Sequence, residues 1–268
     1  MNQAIAPFGP HFGFGLYVHW PYCARICPYC DFNVYAAKDR ASAPLVQAII
    51  SDIHVHRDRL PQHGALDTLY FGGGTPALLA AADLAAILEA AERAFGIKPG
   101  AEVTLEANPN DVLRADLAGL KQAGVTRLSI GVQSLRDSAL AFLGRDHDAL
   151  AGEQAVKKAL KVFTSVSFDL IYARPGQSPA NWDTELMDAL ALGAPHLSLY
   201  ELTFEAKTAF GQAARRGDMT PMGDDAQADL YELTQALTAS AGLPAYEVSN
   251  HAASQDHQSR HNLTYWRG

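Results

Sequence analysis

From residue 16 onward the chain alternates short β-rich runs with longer stretches of helical spacing, and this alternation limits its fold more than any other feature. The strand candidates are LYVHW (16–20), TLYFGG (68–73), EVTLEAN (102–108), RLSIGVQ (127–133), SVSFDLIYA (165–173) and HLSLYELT (196–203). The spacing predicts helices near 43–59, 83–95, 111–123, 150–161, 181–192 and 224–240. In the first helix Leu45, Ile49, Ile50 and Ile53 recur at helical spacing, while Asp52 and Arg57 fall elsewhere. Six strands alternating with helices predict an α/β fold whose parallel sheet rolls into a full or partial barrel. In such folds the chemistry gathers at the C-terminal ends of the strands. The polar residues follow that rule: cysteines come after the first strand, glycines close the second, Glu106 and Gln133 end the third and fourth, and Asp169 lies in the fifth.

A chain of 268 residues can bury a substantial core. Its net charge of −8 argues against a general binder of nucleic acid or anionic membrane, since neutralising phosphates needs clustered Lys and Arg. No early segment joins a basic start to an unbroken apolar run, so no secretory signal is expected. Apolar stretches such as DLAAILEAAERAF are interrupted by charge well before membrane-spanning length. The most linker-like stretch, 211–225, reads as a long βα connection. HNLTYWRG stops straight after an aromatic cluster, without a helix cap or a polar tail, so the end reads as a cut edge. The expected organisation is a core domain over 1–243 and the start of a truncated C-terminal region over 244–268.

All three cysteines, Cys23, Cys27 and Cys30, stand within WPYCARICPYCDF. An odd number at such short spacing is a poor disulfide framework, so a metal site in a reducing cytoplasm is the expectation. Thiolates suit iron–sulfur clusters or zinc. Structural zinc would need a fourth ligand, with His19 the nearest candidate. A four-iron cluster would instead leave one iron open to a chelating molecule, as catalytic metals keep a free position. Tyr22, Tyr29 and Phe32 would shield such a cluster from solvent. The run FGGGTP (71–76) is either a tight βα turn or a backbone cradle for an anion. Taken singly, Glu106, Gln133, Arg145 and Asp169 read as capping or salt-bridge residues.

The C-x3-C-x2-C spacing after a first strand resembles the signature of the radical S-adenosylmethionine enzymes. YVHWPYC, FGGGTP, GVQS and DLIY together resemble one subgroup, the oxygen-independent coproporphyrinogen III oxidase-like family, from about residue 15 to the last residue. The resemblance implies a partial (β/α)6 TIM-like barrel lacking its C-terminal part. It further implies a [4Fe–4S] cluster on Cys23, Cys27 and Cys30, with S-adenosylmethionine chelating the open iron and yielding a 5′-deoxyadenosyl radical on reduction. Tyr17, Tyr29, Gly73, Gly74, Thr75, Glu106, Gln133, Arg145 and Asp169 are the implied contacts to S-adenosylmethionine. A flavodoxin-type protein is the implied electron donor.

The family has two branches. True coproporphyrinogen dehydrogenases carry a further cysteine where this chain has Phe32, whereas C-x3-C-x2-C-D-F resembles the HemW-type haem chaperones. RHNLTYW (260–266) also matches that branch's H-N-x-x-Y-W motif, which is associated with haem. The resemblance thus implies haem as cargo, a haem-requiring acceptor protein as partner, and membrane contact only through that acceptor. His261 could ligate the iron as a neutral imidazole, with Tyr265 and Trp266 offering flat surface to the macrocycle. Alternatively these residues pack the mouth of the barrel. His19 reads either as support for the cluster or as a substrate contact, and His251 and His257 are expected in an exposed loop. The alternative function is radical oxidative decarboxylation of the propionates of coproporphyrinogen III.

Overall fold

The computed structural model describes residues 13–36, 42–60 and 63–267. Six parallel strands form the scaffold: β1 (Gly15–Trp20), β4 (Leu66–Gly73), β5 (Ile97–Ala107), β6 (Arg127–Gln133), β7 (Ser165–Tyr172) and β8 (His196–Glu201). They lie side by side in that order, and a short antiparallel strand, β9 (Asn250–Ala252), extends the sheet beyond β8. A separate two-residue ladder pairs β2 (Tyr22–Cys23) with β3 (Tyr35–Ala36). The helices are α1 (Ser42–Arg59), α2 (Ala81–Phe95), α3 (Pro109–Arg114), α4 (Leu117–Gln122), α5 (Asp137–Phe142), α6 (Ala149–Leu160), α7 (Pro179–Ala191), α8 (Ala209–Arg216), α9 (Asp224–Ser240) and α10 (Arg260–Arg267).

Side-chain alternation along the strands decides which face meets what. Leu105, Leu128, Ile130, Val166, Phe168 and Leu170 are fully buried and join one core with Ile87 and Ala91 of α2, Val156 of α6 and Trp182 of α7. Each such side chain contributes about 1.5–3 kcal/mol of burial. Their strand neighbours Thr104, Glu106, Arg127, Ser129, Ser167, Asp169, His196 and Ser198 line a cavity of about 640 Å³ on the other face. Barrel interiors are ordinarily filled by branched apolar residues. A polar lumen of this size is room for a ligand instead.

Each of the six expected strands and helices is present, with local differences. The helix expected over 111–123 is two helices, because Asp116 caps a new start by accepting from the Gly119 amide at 3.0 Å. The stretch read as linker-like begins inside α8, which is capped by Thr208 accepting from the Gly211 amide at 3.0 Å. Residues 260–267, read only as a motif, form α10, which packs beside β4. His251, expected in an exposed loop, lies in β9 and is 1% exposed, because pairing with β8 carries it inward.

One buried carboxylate ties the exits of two strands. Glu185 of α7 accepts from the Ser134 hydroxyl, from the Leu135 amide at 3.0 Å and from the Arg174 guanidinium. It thereby holds the loops that follow β6 and β7, just beyond Gln133 and Asp169. Removing one partner of a buried pair leaves the other charge uncompensated. Glu185→Ala should therefore lower unfolding stability by about 3–5 kcal/mol in denaturant titrations.

Candidate functional site

The site begins where β1 ends. Its exit is bound to the glycine turn after β4: the Gly74 amide donates to the Trp20 carbonyl at 2.6 Å, and the Thr75 amide to that of Tyr22 at 2.9 Å. A Cβ on Gly74 would sit 2.6 Å from the Tyr22 carbonyl oxygen, and Gly73 has φ +110 with the His19 ring 2.5 Å from its missing Cβ. These glycines are therefore required by contact with the cysteine loop as well as by any ligand. The loop is held further along by the Cys30 amide donating to the Cys27 carbonyl at 3.1 Å and by the Phe210 amide of α8 donating to Pro28 at 3.0 Å. His19 has both ring nitrogens engaged, with the Tyr17 hydroxyl at 3.1 Å and the Asn33 carbonyl at 3.0 Å. It supports the loop.

Cys23, Cys27 and Cys30 line one cavity of about 150 Å³, together with Tyr29, Gly73, Gly74, Thr75, Glu106, Gln133, Arg145 and Asp169. Of the residues singled out for this site, Tyr17 stands outside that lining: it lies on the edge strand and stacks on Tyr70 at 6.1 Å. Arg145 donates to the Cys27 sulfur at 3.3 Å and to the Gly131 carbonyl at 2.8 Å. Asn108 joins both sides of the site, donating to Thr75 Oγ1 at 3.0 Å and accepting from Arg145. Glu106 accepts from the Tyr70 hydroxyl at 2.7 Å and from the Gly73 amide at 3.1 Å. Gln133 sits at the β6 register shift with φ 70, and its Oε1 is buried without a protein partner. A non-glycine residue in that backbone region is strained, a cost that clusters at functional sites.

Asn108 and Tyr70 were not recognised in the sequence. Asn108 does follow Glu106 in LEANP, and Tyr70 does precede the glycine run. Neither belongs to a spacing that marks it, since each acts only by joining residues brought close in space.

The model of the radical SAM (S-adenosylmethionine) superfamily matches residues 17–187. The chain belongs to that superfamily. Among its relatives, the mitochondrial radical S-adenosyl methionine domain-containing protein 1 of Danio rerio is 38% identical over 94% of this chain and 57% of its own length. The heme chaperone HemW of Mycobacterium tuberculosis (strain H37Rv) is 37% identical over 98% of this chain and 68% of its own length. Coproporphyrinogen III oxidase (HemN) from Escherichia coli, described as a radical SAM enzyme, shares the fold with a TM-score of 0.77 at 24% identity, over 92% of this chain and 57% of that one. The chain spans 57% to 61% of the length of the domain-containing protein 1 relatives from Danio rerio and Dictyostelium discoideum.

Radical SAM membership implies a [4Fe–4S] cluster and S-adenosylmethionine. Three soft donors, a glycine turn and two buried carboxylates lining one cavity fit that pair. Among the described residues no three His, Cys, Asp or Glu side chains converge on a single metal ion. Burial pushes the Cys30 thiol up, and the neighbouring Cys27 and Cys23 add to the rise.

At the opposite end of the strands, α10 places His261 in the floor of this radical SAM barrel at 3% exposure. Its Nδ1 lies 2.8 Å from Thr68 Oγ1, its ring stacks on Tyr70 at 4.9 Å, and its Nε2 is buried without a partner. Burial lowers its pKa to about 4, so the imidazole is neutral. Tyr265 and Trp266 on the same helix are exposed. No described helix is long and apolar enough to cross a membrane.

The two carboxylates of the cofactor cavity are crowded. Burial, then the nearby Glu106, raises Asp169 to about 7, and burial also raises Glu106. A raised carboxylate favours the folded state at low pH and loses that contribution as pH climbs through the folded value. The apo protein should therefore lose stability between about pH 4 and 7, because across that range the carboxyl of Asp169 is ionised in the unfolded chain while burial holds its proton in the folded one. Asp169→Asn should melt higher than wild type at pH 8, with the gain vanishing near pH 4. Melting curves across that range check both statements.

Proposed function

We propose that this chain is the radical SAM portion of a haem chaperone that binds haem and passes it to a haem-requiring acceptor protein in the cytoplasm. The observation that carries this reading is the 37% identity to the M. tuberculosis heme chaperone across 98% of the chain. Phe32 supports it: it is 66% exposed at the rim of both cavities, where the dehydrogenase branch has a cysteine.

Cys23, Cys27 and Cys30 hold the cluster. When bound, the cluster supplies one-electron reduction of the S-adenosylmethionine sulfonium, with a flavodoxin-type protein as donor. The chain's own residues do the positioning. Gly73, Gly74 and Thr75 offer backbone to the methionine end, and Glu106 and Asp169 supply negative charge for its cationic groups. Gln133 and Tyr29 border the same cavity, and Tyr17, outside its lining on the edge strand, is assigned to the cofactor by the family resemblance. Arg145 screens the Cys27 thiolate. His261 is the haem ligand on this reading, and reaching its Nε2 requires α10 to shift from Thr68 and Tyr70. Tyr265 and Trp266 meet the macrocycle.

The polar cavity of about 640 Å³ beneath the cofactor residues favours one alternative, an oxidase acting on the propionates of coproporphyrinogen III. Anaerobic reconstitution should give about four irons per chain and a paramagnetic signal that S-adenosylmethionine perturbs. Haem titration should show binding that falls at least about tenfold in His261→Ala, a loss of about 1.4 kcal/mol. Turnover of coproporphyrinogen III would reject the chaperone reading, and unchanged haem affinity in the variant would remove His261 as ligand.

A further inference from the structure

Four aromatic rings connect the floor of the barrel to its cofactor end. Tyr265 meets His261 edge-on at 5.3 Å, His261 stacks on Tyr70 at 4.9 Å, and Tyr70 stacks on Tyr17 at 6.1 Å. Two glycines make room for this column. A Cβ on Gly15 would lie 3.3 Å from the His261 ring and 2.6 Å from Thr68 Oγ1; one on Gly72 would lie 2.8 Å from the Tyr70 ring and 2.9 Å from that of Tyr17. Gly72 has an ordinary backbone, so ring packing alone accounts for the missing side chain there.

At its upper end Tyr70 donates to Glu106 Oε1 at 2.7 Å, while the Gly73 amide takes Oε2 at 3.1 Å. Both carboxylate oxygens are thus aimed by protein donors, and one of the donors rests on the helix that carries the H-N-x-x-Y-W segment. We propose that Tyr70 is a positioning residue that orients Glu106 for S-adenosylmethionine and, through its ring contact with His261, ties the seating of α10 to the affinity of the cofactor site. The role of Glu106 rests on the radical SAM reading given above. The coupling is reciprocal by thermodynamic necessity: whatever draws His261 away from Tyr70 changes S-adenosylmethionine binding, and S-adenosylmethionine opposes that withdrawal by the same factor.

The carboxylate is sensitive to this bond. Burial raises Glu106, and the Tyr70 and Gly73 bonds, with His19 of β1, hold it down. Tyr17 of β1, Asp169 of β7 and Tyr200 of β8 are the other titratable groups that feel its charge.

The test is anaerobic calorimetry of S-adenosylmethionine on cluster-reconstituted wild type, Tyr70→Phe, His261→Ala and the double variant, from pH 6 to 9. Tyr70→Phe keeps the ring and loses the hydroxyl. It should retain about four irons per chain, bind S-adenosylmethionine about tenfold more weakly and move the acid limb of binding to higher pH, because a hydrogen bond to a charged group is lost. His261→Ala should weaken binding about threefold through the lost ring contact, and the two effects should not add. Wild-type affinity with an unmoved acid limb in Tyr70→Phe would overturn the inference. So would loss of iron in that variant, since the hydroxyl would then serve the fold. Additive effects would overturn the link to α10. Failure of wild type itself to bind S-adenosylmethionine would bring down the radical SAM reading of Glu106, and the inference with it.

Discussion

The Gly74 amide lies 2.6 Å from the Trp20 carbonyl and the Thr75 amide 2.9 Å from that of Tyr22, so the exits of two adjacent strands are joined backbone to backbone. That seam sets where the cysteine loop starts, and no side chain fits within it. From it the remaining contacts follow in sequence. Thr75 Oγ1 reaches the Cys23 sulfur at 3.7 Å, Asn108 reaches Thr75, and Arg145 bridges Asn108 to Cys27. Four strands thereby contribute to one wall. Each does so at its C-terminal end, where a parallel sheet leaves backbone and loops free to diverge.

Below that wall the sheet keeps its apolar side chains for the helices and turns polar ones inward. A lumen of hydroxyls, carboxylates and a guanidinium is a poor core, and the chain tolerates it because the outer layer supplies the packing. Desolvation then falls on the groups that face the cofactor. Asp169 and Glu106 are raised mainly by burial, and positive charge placed between them would relieve that cost.

Much of the fold could be read from periodicity, because the strands are runs of β-branched and apolar residues and the long helices carry clear apolar stripes. The elements that escaped are short or polar. RHNLTYWR in α10 has a single buried residue, His261, and AFGQAARR in α8 buries only Phe210 and Gly211. Their positions depend on tertiary contacts: the Arg260 guanidinium on the Gly100 carbonyl, and the Phe210 amide on Pro28. β9 is three residues long and exists by pairing with β8. For the site, the cysteines, glycines and strand-end polar residues were visible as spacings. Asn108 and Tyr70 were not, because a connector is defined by the two groups it joins.

The cysteine loop has one more implication. Pro28 is gripped by the Phe210 amide and lies against Gly144, and Tyr35 returns to Pro21 with a bond of 2.8 Å. All of these restraints are made by the polypeptide itself. A zinc finger gains its shape from its metal, but here the frame is set by the barrel.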